Sequence, residues 1–236
     1  VTEKKGGIGV DGLRLLYEDN HCVAVFKPAG LLTVGDRTGD VSLVDLVRDD
    51  LRNRYRKPGN VFVGVVHRLD RPVAGVVLFA RTSKAASRLA EQFRTGRVTK
   101  VYQALVEGRV ATPEGELVDR LVKDHQTNVV RRVTKPSGKS RESSLTFRRL
   151  KTFRDTTLLE IRPRTGRSHQ IRVQLAAAGH PIVGDRKYGS KRPFAEGIAL
   201  RAVRLSFEHP VRKTPVTVEA PADWPQLGRA DGPKRQ

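Results

Sequence analysis

The stretch VFVGVVHRLDRPVAGVVLFART, residues 61–82, decides the reading, because two apolar runs close around a polar insert, HRLD, that neither strand nor helix periodicity explains. Residues 61–66 and 75–80 are short, rich in Val and Phe and bounded by Gly and Pro, so each is predicted as a largely buried strand. Between them lie His67, Arg68, Asp70 and Arg71. A carboxylate delivered by a loop from the core, with cationic side chains two residues before it and one after, should remain ionised, since nearby positive charge favours the charged form. It is then able to serve as a nucleophile. The bland alternative is a solvated hairpin loop in which Asp70 pairs with Arg68 or Arg71 and does no chemistry.

The rest of the composition narrows the choice. With 236 residues the chain is long enough for a substantial core, and one catalytic domain is expected. Against 25 Asp+Glu stand 45 Lys+Arg, a formal charge of +20, so a polyanion is the obvious partner. The basic residues are scattered, which favours a charged surface on a folded body over a basic tail. A single cysteine, Cys22, excludes an intramolecular disulfide and a Cys-rich zinc site and suits a reducing compartment. No apolar run approaches the ~18 to 20 residues of a membrane span, and no secretory h-region is visible. A soluble, cytoplasmic, monomeric protein with no membrane partner is expected.

Outward from the HRLD insert, residues 1–12 hold too little apolar surface to bury and are expected to be a flexible lead-in, with the domain running over 13–227 and a basic tail over 228–236. Residues 15–17 and 22–26 read as strands, the second running into the turn Lys27-Pro28-Ala29-Gly30. Lys27 is placed to reach phosphate or to be an ordinary exposed lysine. Ser42 with Asp45 resembles a capping box before Leu43, Leu46, Val47 and Leu51, with Arg52, Arg54 and Arg56 on the wet side. Ser83 is expected to cap a helix ending by Gly96, and residues 100–108 to form a strand carrying Tyr102. Residues 111–144 are expected as irregular surface hairpins, followed by strands over 142–150 and 156–162, and later over 198–207 and 216–220.

A second constellation runs from Arg162 to Gly189. Gly166 precedes a helix that Ser168 can cap and Gly179-His180-Pro181 stops. Its N-terminus, flanked by Arg162, Arg164 and Arg167, offers amide donors to a phosphate; an amphipathic helix with its arginines in water is the alternative. The six histidines are dispersed and no carboxylates cluster at ligand spacing, so no metal site is expected. Neither a G-x-x-x-x-G-K-[ST] loop nor a G-x-G-x-x-G motif after a strand is present, so no nucleotide cofactor is expected.

At this point the sequence resembles the RluA-type pseudouridine synthases. The likeness rests on Lys27-Pro28-Ala29-Gly30-Leu31, on His67-Arg68-Leu69-Asp70 with Gly75, on Lys100-Val101-Tyr102, and on Arg164 to Val173 running to Gly179-His180-Pro181 and Gly184-Asp185. It covers roughly residues 13–225, in order. The resemblance implies isomerisation of uridine to pseudouridine in structured RNA, ribosomal or transfer, without a cofactor. It makes Asp70 the nucleophile, attacking the ribose or the uracil ring. Tyr102 becomes the aromatic that stacks on the target base, and Arg172 the salt-bridge partner of the aspartate. Arg68 fills the gap left when the uridine flips out, and His67, Arg167, His169 and Lys27 complete the RNA-facing set. A base in a stacked helix must be extruded before its sugar is reached, at a cost of roughly a few kcal/mol that a stacking aromatic and an inserted cation can offset. A bidentate Arg172 would keep Asp70 charged and aimed.

The chain departs from the family pattern at Val73-Ala74, where relatives commonly carry Thr-Ser, and at Gln174, where a His is common. The small N-terminal RNA-binding domain of many relatives is expected to be missing. The implied fold is α+β, a mixed, mostly antiparallel sheet with helices and loops around a central basic cleft. Two other readings compete: a catalytically silent RNA-binding protein of the same fold, which has no need of a carboxylate that repels RNA, and a nuclease or glycosylase.

Overall fold

The computed structural model describes residues 13–221; the expected lead-in, the last residues of the domain and the basic tail lie outside the described residues. Chain contacts divide it into two compact units, one of residues 13–100 with 202–220, the other of residues 101–201 with Pro221. The fold is α+β, with three helices and mostly antiparallel strand pairing.

In the first unit the strands β1 (Arg14–Glu18), β2 (Cys22–Lys27), β4 (Ala74–Ala80) and β10 (Leu200–Glu208) lie in that order, with β11 (Pro215–Glu219) paired to β10 and β3 (Gly64–Val65) to β4. β2 and β4 are buried almost throughout, as continuous apolar runs should be when both faces are covered. Their side chains join Ala85 and Leu89 of helix α2 (Ser83–Arg94) and Leu205, Phe207 and Val218 in one core. The expected strand over 61–66 shrinks to β3, whose two residues pair only with Phe79 and Ala80. Beyond that point the imidazole of His67, not the backbone of Val66, takes the next free amide of β4.

Helix α1 (Leu43–Arg54) starts at the capping box, where the Asp45 carboxylate accepts from the Ser42 amide (3.2 Å) and hydroxyl (2.6 Å). Arg54 is not on the wet side: it bridges buried Glu18 (2.8 Å) and Asp50 (2.6 Å), an ion cluster completed by Arg81 and the Tyr55 hydroxyl on Glu18. Helix α2 is capped by Thr82, whose hydroxyl accepts from the Ala85 amide, and Ser83 is its first helical residue.

The second unit orders its strands β5 (Thr99–Glu107), β9 (Thr156–Pro163), β8 (Arg141–Thr152), β6 (Glu114–Asp124) and β7 (Val129–Val133). Residues 111–144, expected to be irregular, instead hold most of a regular antiparallel meander, β6 pairing with β7 on one side and β8 on the other. Helix α3 (Gln170–Ala177) packs on β6 and β7, with its first six residues all buried. Ser168 does not cap it. The N-cap is His169, left-handed at φ 53°, and the Gln170 side chain accepts from the Arg167 amide (3.1 Å) and the Thr165 hydroxyl (2.7 Å).

Candidate active site

The first unit carries Asp70 on a loop fastened from both sides. Leu69, just before it, is buried, and its amide and carbonyl both meet the Thr33 hydroxyl, at 3.2 and 2.8 Å. Just after it, the Arg71 carbonyl accepts from the Gly30 amide (2.8 Å) while the Arg71 guanidinium returns a bond to the Gly30 carbonyl (2.9 Å). The Val73 amide closes a turn onto the Asp70 carbonyl (3.0 Å). The loop leaves at Gly75, φ +134°, where a Cβ would stand 2.3 Å from the Ala202 carbonyl oxygen, so only glycine fits. Asp70 itself is half-buried and Arg68 is exposed.

Lys27 belongs to this fastening, and both alternatives expected for it, a reach to phosphate or an ordinary exposed lysine, are corrected. β2 is buried along its length, so its last residue also points inward, and Lys27 is 0% exposed. Its ammonium donates to the carbonyls of Pro28 (2.9 Å), Leu31 (2.7 Å) and Arg71 (3.1 Å), tying the turn after β2 to the loop after Asp70. Burial pushes its pKa down to about 7, with the Asp70 charge pulling upward and the Arg71 charge adding to the depression.

His67 is likewise a brace. Its Nε2 accepts from the Leu78 amide (2.9 Å), and its ring stacks on Phe93 at 4.6 Å between centroids. Burial, helped by the Lys100 charge, pushes its pKa from 6.5 down to about 3. The unfolded chain therefore takes up this proton first on acidification. The stability from neutral His67 is complete above about 6.5 and is lost progressively as pH falls from 6.5 toward 3. Urea midpoints are expected to drop steadily from pH 6.5 to 4, and His67→Gln to flatten part of that slope. Equal slopes in parent and variant would place the acid lability elsewhere.

The second unit carries Tyr102, half-buried on β5 opposite Ile161 of β9, and Arg172 on α3. Arg172 was expected to fork onto Asp70. Its Nε and Nη2 form a side-on bidentate pair with Asp185, at 2.7 and 2.9 Å, with the two side chains only 5% and 1% exposed. That pair does not use Nη1. The Tyr188 ring lies 4.9 Å from the guanidinium carbon. Its hydroxyl accepts from the Val130 amide (3.1 Å) and shares a hydrogen bond with His169 Nδ1 at 2.5 Å. His169 is thus part of the support beneath Arg172, while Arg167 is exposed on the loop before α3.

Asp185, Tyr188 and Thr33 were not foreseen as site residues. Gly184-Asp185 stood out only as a family block, and a sequence separation of 13 hides its pairing with Arg172. Gln174, where relatives often carry His, anchors α3 by donating to the Leu117 carbonyl (3.1 Å), the Asp119 carboxylate (2.9 Å) and the Ser143 carbonyl (3.2 Å).

Among the described residues one trio, Asp19, Cys22 and His209, brings metal-type ligand atoms within 4.8 Å of one another. Its lone pairs are already engaged. Asp19 accepts from the amides of His21 and Cys22, the Tyr17 hydroxyl, Arg212 and His209. His209 Nδ1 accepts from the amides of Val211 and Arg212, so its proton sits on Nε2 toward Asp19. Burial pushes the Cys22 thiol up to about 12, far from thiolate. This donor set fits a hydrogen-bonded knot between β1 and the end of β10, not a cation site.

Comparison with known proteins agrees over most of the chain. A family model described as RNA pseudouridylate synthase matches residues 21–177. The dual-specificity RNA pseudouridine synthase RluA of Vibrio parahaemolyticus is 34% identical over 215 residues, covering 89% of this chain and 83% of that protein. The ribosomal large subunit pseudouridine synthase D of Xylella fastidiosa is 37% identical over 227 residues, covering 89% and 66%. Among solved structures, human RNA Pseudouridylate Synthase Domain Containing 4 superposes with a TM-score of 0.74 at 21% identity, covering 90% of this chain and 89% of that one, a likeness of fold. With a matched family model over more than half its length and relatives this similar, the chain belongs to the RNA pseudouridylate synthase family, in its RluA-type branch of isomerases.

Proposed function

We propose that this protein converts uridine to pseudouridine within structured ribosomal or transfer RNA, with Asp70 as nucleophile and no cofactor. The observation that carries the reading is the fastening of the Asp70 loop. Thr33 on one side and Lys27 with Gly30 on the other hold the backbone around a single half-buried carboxylate, as a nucleophile that must meet one atom requires. The reaction conserves composition: the bond from C1′ to N1 breaks, a bond from C1′ to C5 forms, a proton leaves C5 and N1 gains one. No electrons enter or leave. Asp70 attacks the ribose or the uracil ring and holds the freed half while the base turns.

The other residues supply position and charge. Arg68, exposed on the same loop, takes the place of the extruded uridine in the stack. Tyr102 stacks on the flipped base, beside the proton that C5 gives up. Arg172, clamped by Asp185 and backed by Tyr188, brings a fixed cation to the aspartate's reaction. Incubating the purified protein with total RNA from cells lacking its gene, followed by pseudouridine mapping, is expected to reveal discrete new sites. Tight binding without product would favour the silent binder, and release of free uracil a glycosylase.

A further inference from the structure

In the second unit the β6–β7 hairpin, the turn before β8 and the loop before α3 enclose an open groove of about 780 Å³. Its floor is apolar, including buried Leu121 and Val130, and its rim carries Lys123, Lys139, Arg141 and Arg167. Asp124 is its one lining carboxylate, and that group already accepts from the amides of Gln126 (2.9 Å) and Thr127 (3.4 Å). Among the described residues neither Lys123 nor Lys139 pairs with an acid.

The rim is built, not loose. The turn presenting Lys139 is closed by the Ser137 amide on the Ser140 hydroxyl (2.9 Å) and by the Ser140 amide on the Ser137 carbonyl (2.9 Å). The hairpin end is tied down by Lys187 on the Asn128 carbonyl (2.9 Å) and by the Val130 amide on the Tyr188 hydroxyl. Net charge alone does not explain the groove, because the same unit has a second hollow of about 410 Å³ whose lining balances Glu114, Glu116 and Glu160 against Arg148 and Arg162. There both arginines lie on Glu160, at 3.6 and 3.0 Å. The uncompensated cations gather at one hollow and not at the other.

We infer that the groove rimmed by Lys123, Lys139, Arg141 and Arg167 seats the phosphodiester backbone of the substrate RNA away from the target nucleotide. The inference rests on the functional reading above. Cations over an apolar floor suit a chain of phosphates whose sugars lie against aliphatic surface, and such contacts carry affinity, not chemistry.

The test compares two double variants that each remove two positive charges. Lys123→Gln/Lys139→Gln alters the groove; Arg148→Gln/Lys151→Gln alters charge elsewhere on the unit. With bulk tRNA as the probe, the groove variant is expected to bind roughly tenfold more weakly near 0.1 M salt and to show a log affinity against log salt slope shallower by roughly 1.5. The control is expected to stay within about twofold. Lys139→Gln alone, on an exposed turn, should give about half the slope change and guards against misfolding of the double. Equal weakening in the two doubles, or none in the groove double, overturns the seat. A parent protein that neither binds nor modifies RNA from any source overturns the functional reading itself, a result distinct from either.

Discussion

Replacing Asp70 by asparagine is expected to leave folding and RNA binding intact and to reduce pseudouridine formation by at least about ten-thousand-fold. The substitution keeps side-chain shape and replaces the nucleophilic carboxylate by a neutral amide, so it isolates the chemistry from the architecture. The bonds that fasten the loop end on main-chain atoms: Thr33 grips the backbone of Leu69, Gly30 and Lys27 grip that of Arg71, and Val73 closes onto the main-chain oxygen of residue 70. Thermal midpoints should therefore move little. RNA affinity should stay the same or rise slightly, since one negative charge leaves a surface that meets a polyanion. Asp70→Glu is the sharper companion, because it preserves the charge and displaces it by one methylene; a rate near that of the asparagine variant would show that position matters as much as ionisation. Single-turnover assays with enzyme in excess separate these effects from binding. An asparagine variant that keeps a tenth of the parent rate would remove Asp70 from the nucleophile's role.

Why Asp70 was legible and much of its setting was not follows from the range of the interactions involved. A capping box such as Ser42 with Asp45 is written within four residues, and so is the polar insert of HRLD between two apolar runs. Helix starts were less secure where adjacent residues offered equivalent chemistry. Thr82 and Ser83 both carry hydroxyls, and the choice fell to Thr82 because the chain is still extended there, at φ −140° and ψ 152°. At α3 the capping acceptor comes from Gln170 inside the helix, which leaves Ser168 outside the cap. The meander of β6, β7 and β8 escaped because its strands are half-exposed and rich in Arg, Lys and Glu; their pairing, not apolar alternation, makes them regular. Lys27 and Arg54 were misjudged for a common reason. A long cationic side chain is taken for solvent-exposed until its buried acceptors are known, and those acceptors lie up to 44 residues away for Lys27 and 36 for Arg54.

The pairing of Arg172 with Asp185 is of the same long-range kind, and breaking it should have the largest effect on stability. Asp185→Ala is expected to lower unfolding free energy by about 3–5 kcal/mol, because a buried guanidinium loses a bidentate partner at 2.7 and 2.9 Å while remaining out of water. Turnover should collapse with it, since the cation is no longer held over the Tyr188 ring. Loss of activity alone would not separate a positioning role for Asp185 from general unfolding, so the decisive protein is the double variant Arg172→Met/Asp185→Leu. Replacing both charges by apolar groups of similar size removes the penalty of a stranded ion, and it is expected to restore at least about half of the lost stability. Activity should not return, because no cation is left to act. Urea unfolding measured alongside single-turnover rates reads both quantities on the same proteins. If Asp185→Ala costs less than about 1 kcal/mol, the pair does not anchor Arg172; if the double variant regains turnover along with stability, the guanidinium has no part in the reaction.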